Sequence, residues 1–236
     1  MNLSAKELHE KAGELREAGK SVEALEYHFL ALVQAAKEND LTRLAEVLAD
    51  RSIVYRHLAS KHDSKLFLLL AKGDLENAVE IATPLSSQGA TALPIHALGR
   101  VMQEIGDLES AIRLYKQALT FFETTPPSSH NRPGVIADMK VDLATTEYMN
   151  GDKEARGRAE AAIEELISSG EDNVSTHNYN VWLTGAYMRM AYILKSDDPS
   201  ATKEYLGMAR NIIEANKDDL SIRGHQLDKL ESDLAS

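Results

Sequence analysis

At 236 residues the chain is long enough for one generous domain, and its 43% hydrophobic content, mostly Ala and Leu with 6% aromatic residues and six Pro, suits helices rather than strands. A formal net charge of -11 argues against broad electrostatic attraction to nucleic acid or to anionic lipid, since both need a basic surface. The absence of cysteine excludes disulfides, thiolate catalysis and Cys-ligated metal, and it fits a reducing compartment, so a cytoplasmic location is expected.

The N-terminus, Met1-Asn2-Leu3-Ser4-Ala5-Lys6-Glu7, turns amphipathic and charged at once, with no apolar signal-peptide core to direct export. From there helical stretches alternate with short turns. The clearest turns are Ala18-Gly19-Lys20, Ile105-Gly106-Asp107 and Asn150-Gly151-Asp152, each with Gly where one helix must stop and another begin. Lys61-His62-Asp63 and Ser196-Asp197-Asp198-Pro199 are weaker versions. Counted from Gly19 through His62, Gly106 and Gly151 to Ser196, the steps are 43, 44, 45 and 45 residues. Such regularity marks an internal repeat.

Each interval has room for two helices and two turns. First helices are predicted over 4–18, 42–60, 92–105, 134–149 and 176–195, and second helices over 21–37, 64–86, 108–123, 152–168 and 199–215. The resulting pairs cover about 4–37, 41–86, 92–123, 134–168 and 176–215 of a single domain, 1–236. A last segment, 218–235, carries Leu220, Leu227, Leu230 and Leu234 at helical spacing and is expected to cap the final pair. Cap chemistry agrees: Asp40 precedes Leu41, Asp63-Ser64 precede the Leu66 run, and Pro199 follows Asp198. The longest apolar run, Leu66 to Ala71, falls far short of the ~20 residues of a membrane span. The stretch 124–133 is too rich in Pro for a helix and reads as an exposed loop, most simply a spacer, with a hinge or a partner contact as the alternatives.

One string conflicts with this layout. Lys72-Gly73-Asp74-Leu75-Glu76-Asn77-Ala78 looks like Ile105-Gly106-Asp107-Leu108-Glu109-Ser110-Ala111, 33 residues later. A turn at both places would insert an extra helix and reverse the up-down order beyond it. The preferred reading is one long helix, 64–86, kinked or loosened at Gly73, since an interior Gly costs only about 1 kcal/mol relative to Ala.

From Ala92 to Glu123 the details accumulate: Leu98-Gly99 and Met102 in the first helix, Gly106-Asp107 at the turn, then Ala111, Tyr115 and Ala118 in the second. Small residues let two backbones approach while the tyrosine fills the groove beside them. Ala12, Leu15, Gly19, Ala24, His28 and Ala31 repeat the scheme in the first pair, and Ala201, Tyr205 and Met208 echo it in the last. In these residues the chain resembles the tetratricopeptide repeat (TPR) superfamily over nearly its whole length. The second and fourth pairs are degenerate, with Val54-Tyr55 in place of the large-small step and Arg156 where Ala is expected. The resemblance implies an all-α fold, an alpha-solenoid of about five antiparallel helix pairs wound as a right-handed superhelix with a C-terminal capping helix. HEAT and armadillo arrays share the longer period and are the alternative at the level of fold.

Stacked helix pairs of this kind usually cradle a peptide or a partner helix on the face lined by their first helices. Projecting the third pair onto the others nominates His9, Arg16, Arg56, His96, Arg100 and Gln103 for that groove, with Asp142 and Thr145 at the corresponding places of the fourth pair. Arginine forks in a chain of net charge -11 would suit a carboxylate or an acidic peptide; the plainer alternative is that these residues are solvated or pair with neighbouring Glu. The expected role is a scaffold or adaptor with a protein or peptide partner, without nucleic acid, membrane or cofactor. A sensor of short signalling peptides is the second reading, and association of a terminal pair with its copy a further option.

An enzyme or metal protein ranks last. His57 and His62 are five residues apart, not four, and no Glu accompanies them. Neither a phosphate-cradling Gly loop nor a Gly-x-Ser-x-Gly elbow is present. Trp182 with Tyr179, Tyr187 and Tyr192 reads as core packing, with an aromatic patch for a partner as the alternative.

Overall fold

Three of the glycines that mark turns adopt backbone angles that L-residues rarely enter: φ is 71° at Gly19, 100° at Gly106 and 102° at Gly151. At the second of these, the Gly106 and Asp107 amides both donate to the Met102 carbonyl, at 3.1 and 2.9 Å, closing one helix before the next starts. The structure, a computed structural model, describes residues 3–85, 88–124, 133–170 and 175–235.

Between the turns lie α1 (Ala5–Glu17), α2 (Ser21–Glu38), α3 (Leu41–His62), α4 (Lys65–Ala82), α5 (Gln88–Ile105), α6 (Leu108–Thr124), α7 (Pro133–Met149), α8 (Ala155–Ser169), α9 (Thr176–Leu194), α10 (Pro199–Ala215) and α11 (Ser221–Ala235). No strand occurs among the described residues. The caps follow from the sequence. Ser4 and Glu7 form a reciprocal capping box on α1, Asp40 Oδ1 accepts the Arg43 amide at 2.9 Å, and Asp198 Oδ1 accepts the Ala201 amide at 3.0 Å.

Contacts gather the chain into two compact units, Met1–Pro127 and Ser128–Ser236. In the first, α1 pairs with α2, α3 with α4 and α5 with α6, while α2 packs on α3 and α4 on α5. In the second, α7 pairs with α8 and α9 with α10, α7 also packs on α9, and α11 closes against α9 and α10. The fold is therefore all-α, an alpha-solenoid of five helix pairs and a capping helix. Leu220 and Leu227 are buried and Leu230 packs against the same core, so the segment predicted as a cap performs that role in α11.

Three boundaries differ from expectation. The helix predicted over 64–86 is continuous through Gly73, but it ends at Ala82: Thr83 keeps helical angles and its amide still reaches the Val79 carbonyl, while Pro84 has no N–H to carry the ladder on. The helix predicted from 152 starts at Ala155, since Asp152 Oδ1 takes the Glu154 amide at 3.0 Å and holds a turn there. The third first helix starts at Gln88 rather than 92, which leaves Pro94 inside α5. The loop reading of 124–133 falls mostly on residues 125–132, outside the described ones.

Packing explains the small residues of the repeat. Tyr115 is fully buried, and a Cβ added at Gly99 would come within 2.6 Å of its Cε1. Only glycine lets the tyrosine ring lie flat on α5.

Candidate partner-binding face

The six nominated residues of the first unit all stand on its first helices, α1, α3 and α5, and the structure gives them neighbours. His9 Nε2 lies 2.9 Å from Asp50 Oδ2, while Arg43 Nη1 lies 3.3 Å from His9 Nδ1. A guanidinium only donates, so His9 Nδ1 must accept and the proton sits on Nε2, donated to Asp50. Arg16 Nη1 reaches the same Asp50 oxygen at 3.2 Å and Arg16 Nη2 reaches Glu17 at 2.8 Å. Burial raises the Asp50 carboxyl, but the His9 hydrogen bond and the Arg16 charge outweigh it and hold it below the usual carboxylate range.

Behind this group lies His28, fully buried, with neither ring nitrogen hydrogen-bonded. Its ring centroid is 5.9 Å from that of His9. Burial pushes its pKa down to about 4, and the cations of Arg16 and Arg51 add to the effect against the opposing charge of Asp50.

On α3 and α5, Arg56 grips Glu104 across 48 residues of sequence; its Nε is 3.0 and 3.2 Å from the two carboxylate oxygens, and its Nη2 bonds Oε1 as well. Burial works against the Arg56 cation, the Glu104 carboxylate holds it there, and the like charge of Arg100 opposes it only weakly. His96 is buried with its ring 5.4 Å from Tyr115, whose hydroxyl donates to Gln103 Oε1 at 2.9 Å.

Asp142 and Thr145 belong to the second unit, on α7. Both are buried. Asp142 Oδ1 is 3.1 Å from Arg189 Nε, beside Asp138, which takes Arg189 Nη2 at 2.7 Å. The Thr145 hydroxyl donates back to the Val141 and Asp142 carbonyls at 2.8 and 3.2 Å. These two residues sit inside the unit and have no surface to offer.

Sequence reasoning did not single out Asp50, Glu104 or the pair of Arg51 and Asp74, in which Nε and Nη2 meet the two carboxylate oxygens at 2.7 and 2.6 Å. One signal was available. The first and third pairs are related by a shift of 87 residues, which lays His9 on His96, Ala12 on Gly99, Arg16 on Gln103 and His28 on Tyr115. That shift identifies the His28 ring as a stand-in for the tyrosine.

No group of three or more potential metal-ligating His, Asp or Glu side chains gathers among the described residues, and no described helix is long and apolar enough to cross a membrane.

Neither a family model nor a curated protein matches the chain. Solved structures do. BtubC (BKLC) from P. vanneervenii superposes with a TM-score of 0.60 at 17% identity, over 87% of this chain and 78% of that one. A Podosopora anserina kinesin light chain with nearly identical TPR-like repeats gives 0.53 at 18% identity, over 92% of this chain and 99% of its own. The fold is TPR-like. A variant of the same Podosopora anserina protein repeats the match at 0.52, again at 18% identity, over 90% of this chain and 95% of that one. At such identities the TPR-like likeness concerns backbone architecture, and what the surface binds has to be argued from the side chains.

Proposed function

We propose that this chain is a protein-interaction scaffold of the cytoplasm, and that the first-helix face of its first unit receives an acidic peptide or partner helix. The observation that supports the reading is the placement of Arg56 and Arg100 on neighbouring first helices, with Arg56 gripping Glu104 and the like charge of Arg100 acting weakly against it. A guest carboxylate that takes the Glu104 place, or that settles between the two guanidinia, relieves that weak repulsion with charge-assisted hydrogen bonds. His9 and Arg16 extend the polar strip on α1 beside Asp50. A TPR-like stack supplies the rigid backing, and the face needs no catalytic group.

The test is a fluorescence-anisotropy titration of the full chain with a labelled Glu-rich peptide, alongside capture of partners from lysate. Saturable binding that is lost in Arg56→Glu with Arg100→Glu supports the reading. Retention of every captured partner and of peptide affinity in that variant would rule the face out.

A further inference from the structure

The outer faces of α2 and α4 carry an apolar surface that the repeat architecture does not require. On α2, Val22, Phe29, Leu30 and Val33 are between 38% and 65% exposed; on α4, Leu66, Leu69 and Leu70 are between 43% and 62% exposed. The same shift of 87 residues that aligns the first and third pairs provides an internal control. It sets Val22 on Glu109, Phe29 on Lys116, Leu30 on Gln117 and Val33 on Thr120 of α6, all four of them exposed. One helix of the scheme is polar at every one of these places and its counterpart is apolar at all of them. The position in the fold therefore tolerates polar residues, and α2 keeps large hydrophobic ones there for another reason.

The two exposed sets are linked through α3. Leu25 of α2 and Phe67 of α4 pack into one cluster with Val54 and Leu58 of α3, so the exposed side chains flank a common centre. At roughly 150–200 Å² for a fully exposed large side chain, the seven amount to about 600–700 Å². That exceeds the usual largest apolar patch of a monomer, about 300–600 Å², and approaches the ~800 Å² per partner of a stable interface.

Charge decides what covers it. Glu23 and Glu26 are exposed on α2 with Lys20 and Lys37 at its two ends, Lys61 and Lys65 are exposed where α3 ends and α4 begins, Glu80 is exposed further along α4, and none of the seven makes an ion pair among the described residues. Three unpaired acids and four unpaired bases on these helices are close to balance, on a chain whose net charge is -11. A strongly basic partner would find half of this rim repulsive, whereas a surface with opposite charges at its two edges complements itself under a two-fold rotation.

We propose that the α2–α4 face is where two copies of the chain meet, related by a two-fold axis that sets the Glu23 and Glu26 edge of one copy on the Lys61 and Lys65 edge of the other. This surface is separate from the first-helix face, so a dimer leaves both Arg56 positions accessible.

Sedimentation equilibrium of the full chain at tens of micromolar tests it. The wild type is expected at a mass near twice 26.0 kDa. Phe29→Glu with Leu66→Glu, both at exposed positions, should sediment at the single-chain mass with unchanged helical circular dichroism, and its melting temperature should no longer depend on protein concentration. Glu26→Lys should weaken the dimer by about tenfold or more, and adding Lys65→Glu should recover most of that loss. Arg56→Glu with Arg100→Glu should leave the dimer intact. A wild type that stays at the single-chain mass throughout, or a Phe29→Glu with Leu66→Glu variant that still doubles it, overturns the proposal.

Discussion

The imidazole of His28 lies against that of His9 in the same relation that Tyr115 holds to His96, with centroids 5.9 and 5.4 Å apart. The first pair thus uses a titratable ring where the third uses a phenol. Tyr115 satisfies its polar atom on Gln103, while both nitrogens of His28 go without a hydrogen bond.

This makes the first unit acid-sensitive. His28 has its pKa pushed down to about 4 by burial, so the unfolded chain takes up the proton at a pH where the folded chain refuses it. Its contribution is fully present above the ordinary histidine value near 6.5 and is lost progressively as pH falls towards 4, by about 3 kcal/mol in all. Urea denaturation at a series of pH values should show that loss in the wild type and a flatter profile in His28→Leu, which keeps the volume and removes the titration.

Gly99→Ala should destabilise the fold by about 2 kcal/mol, the cost of forcing a methyl group into a packed ring. The new Cβ would stand 2.6 Å from Tyr115 Cε1. Thermal melts should show the loss, and Tyr115→His should recover part of it, since Ala12 already accompanies His28 at the matching place in the first pair. Equal losses in the single and double variants would refute the steric account.

Arg51→Ala should be among the more damaging changes in the first unit, at about 3 kcal/mol, because it strands the buried Asp74 carboxylate. Arg51→Ala with Asp74→Ala should be less destabilised than the single variant. Chemical denaturation of the four members of that cycle measures the coupling directly.

Arg189→Met in the second unit should cost about 3–5 kcal/mol for the same reason, since Asp138 and Asp142 both lose a cation and both are buried. Asp142→Asn, which keeps the shape and can still hydrogen-bond, should be milder. Far-ultraviolet circular dichroism melts distinguish the two.

Much of this fold can be read from residues that act within a few positions of themselves. Gly19, Gly106 and Gly151 announce left-handed turns, and Ser4, Asp40 and Asp198 cap helices through amides three residues on, so spacing alone locates most helix ends. Pro84 was equally local evidence and shortens α4. Pairing across the stack leaves no such trace. Arg56 meets Glu104 at 48 residues, His9 meets Asp50 at 41 and Arg51 meets Asp74 at 23. The repeat places the candidate cations on the first helices, but only packing shows which carboxylates already hold them. The same holds for Thr145, whose position on α7 followed from the repeat while its burial depended on neighbours far along the chain.

The grip of Arg56 on Glu104 also governs how a guest would come and go. A carboxylate arriving there exchanges one counter-charge for another instead of adding a pair, and Glu104 returns to water as it leaves. The gain per contact is small and the reverse step is easy. On the proposed reading, occupancy would then be tuned by local concentration rather than by tight grasp.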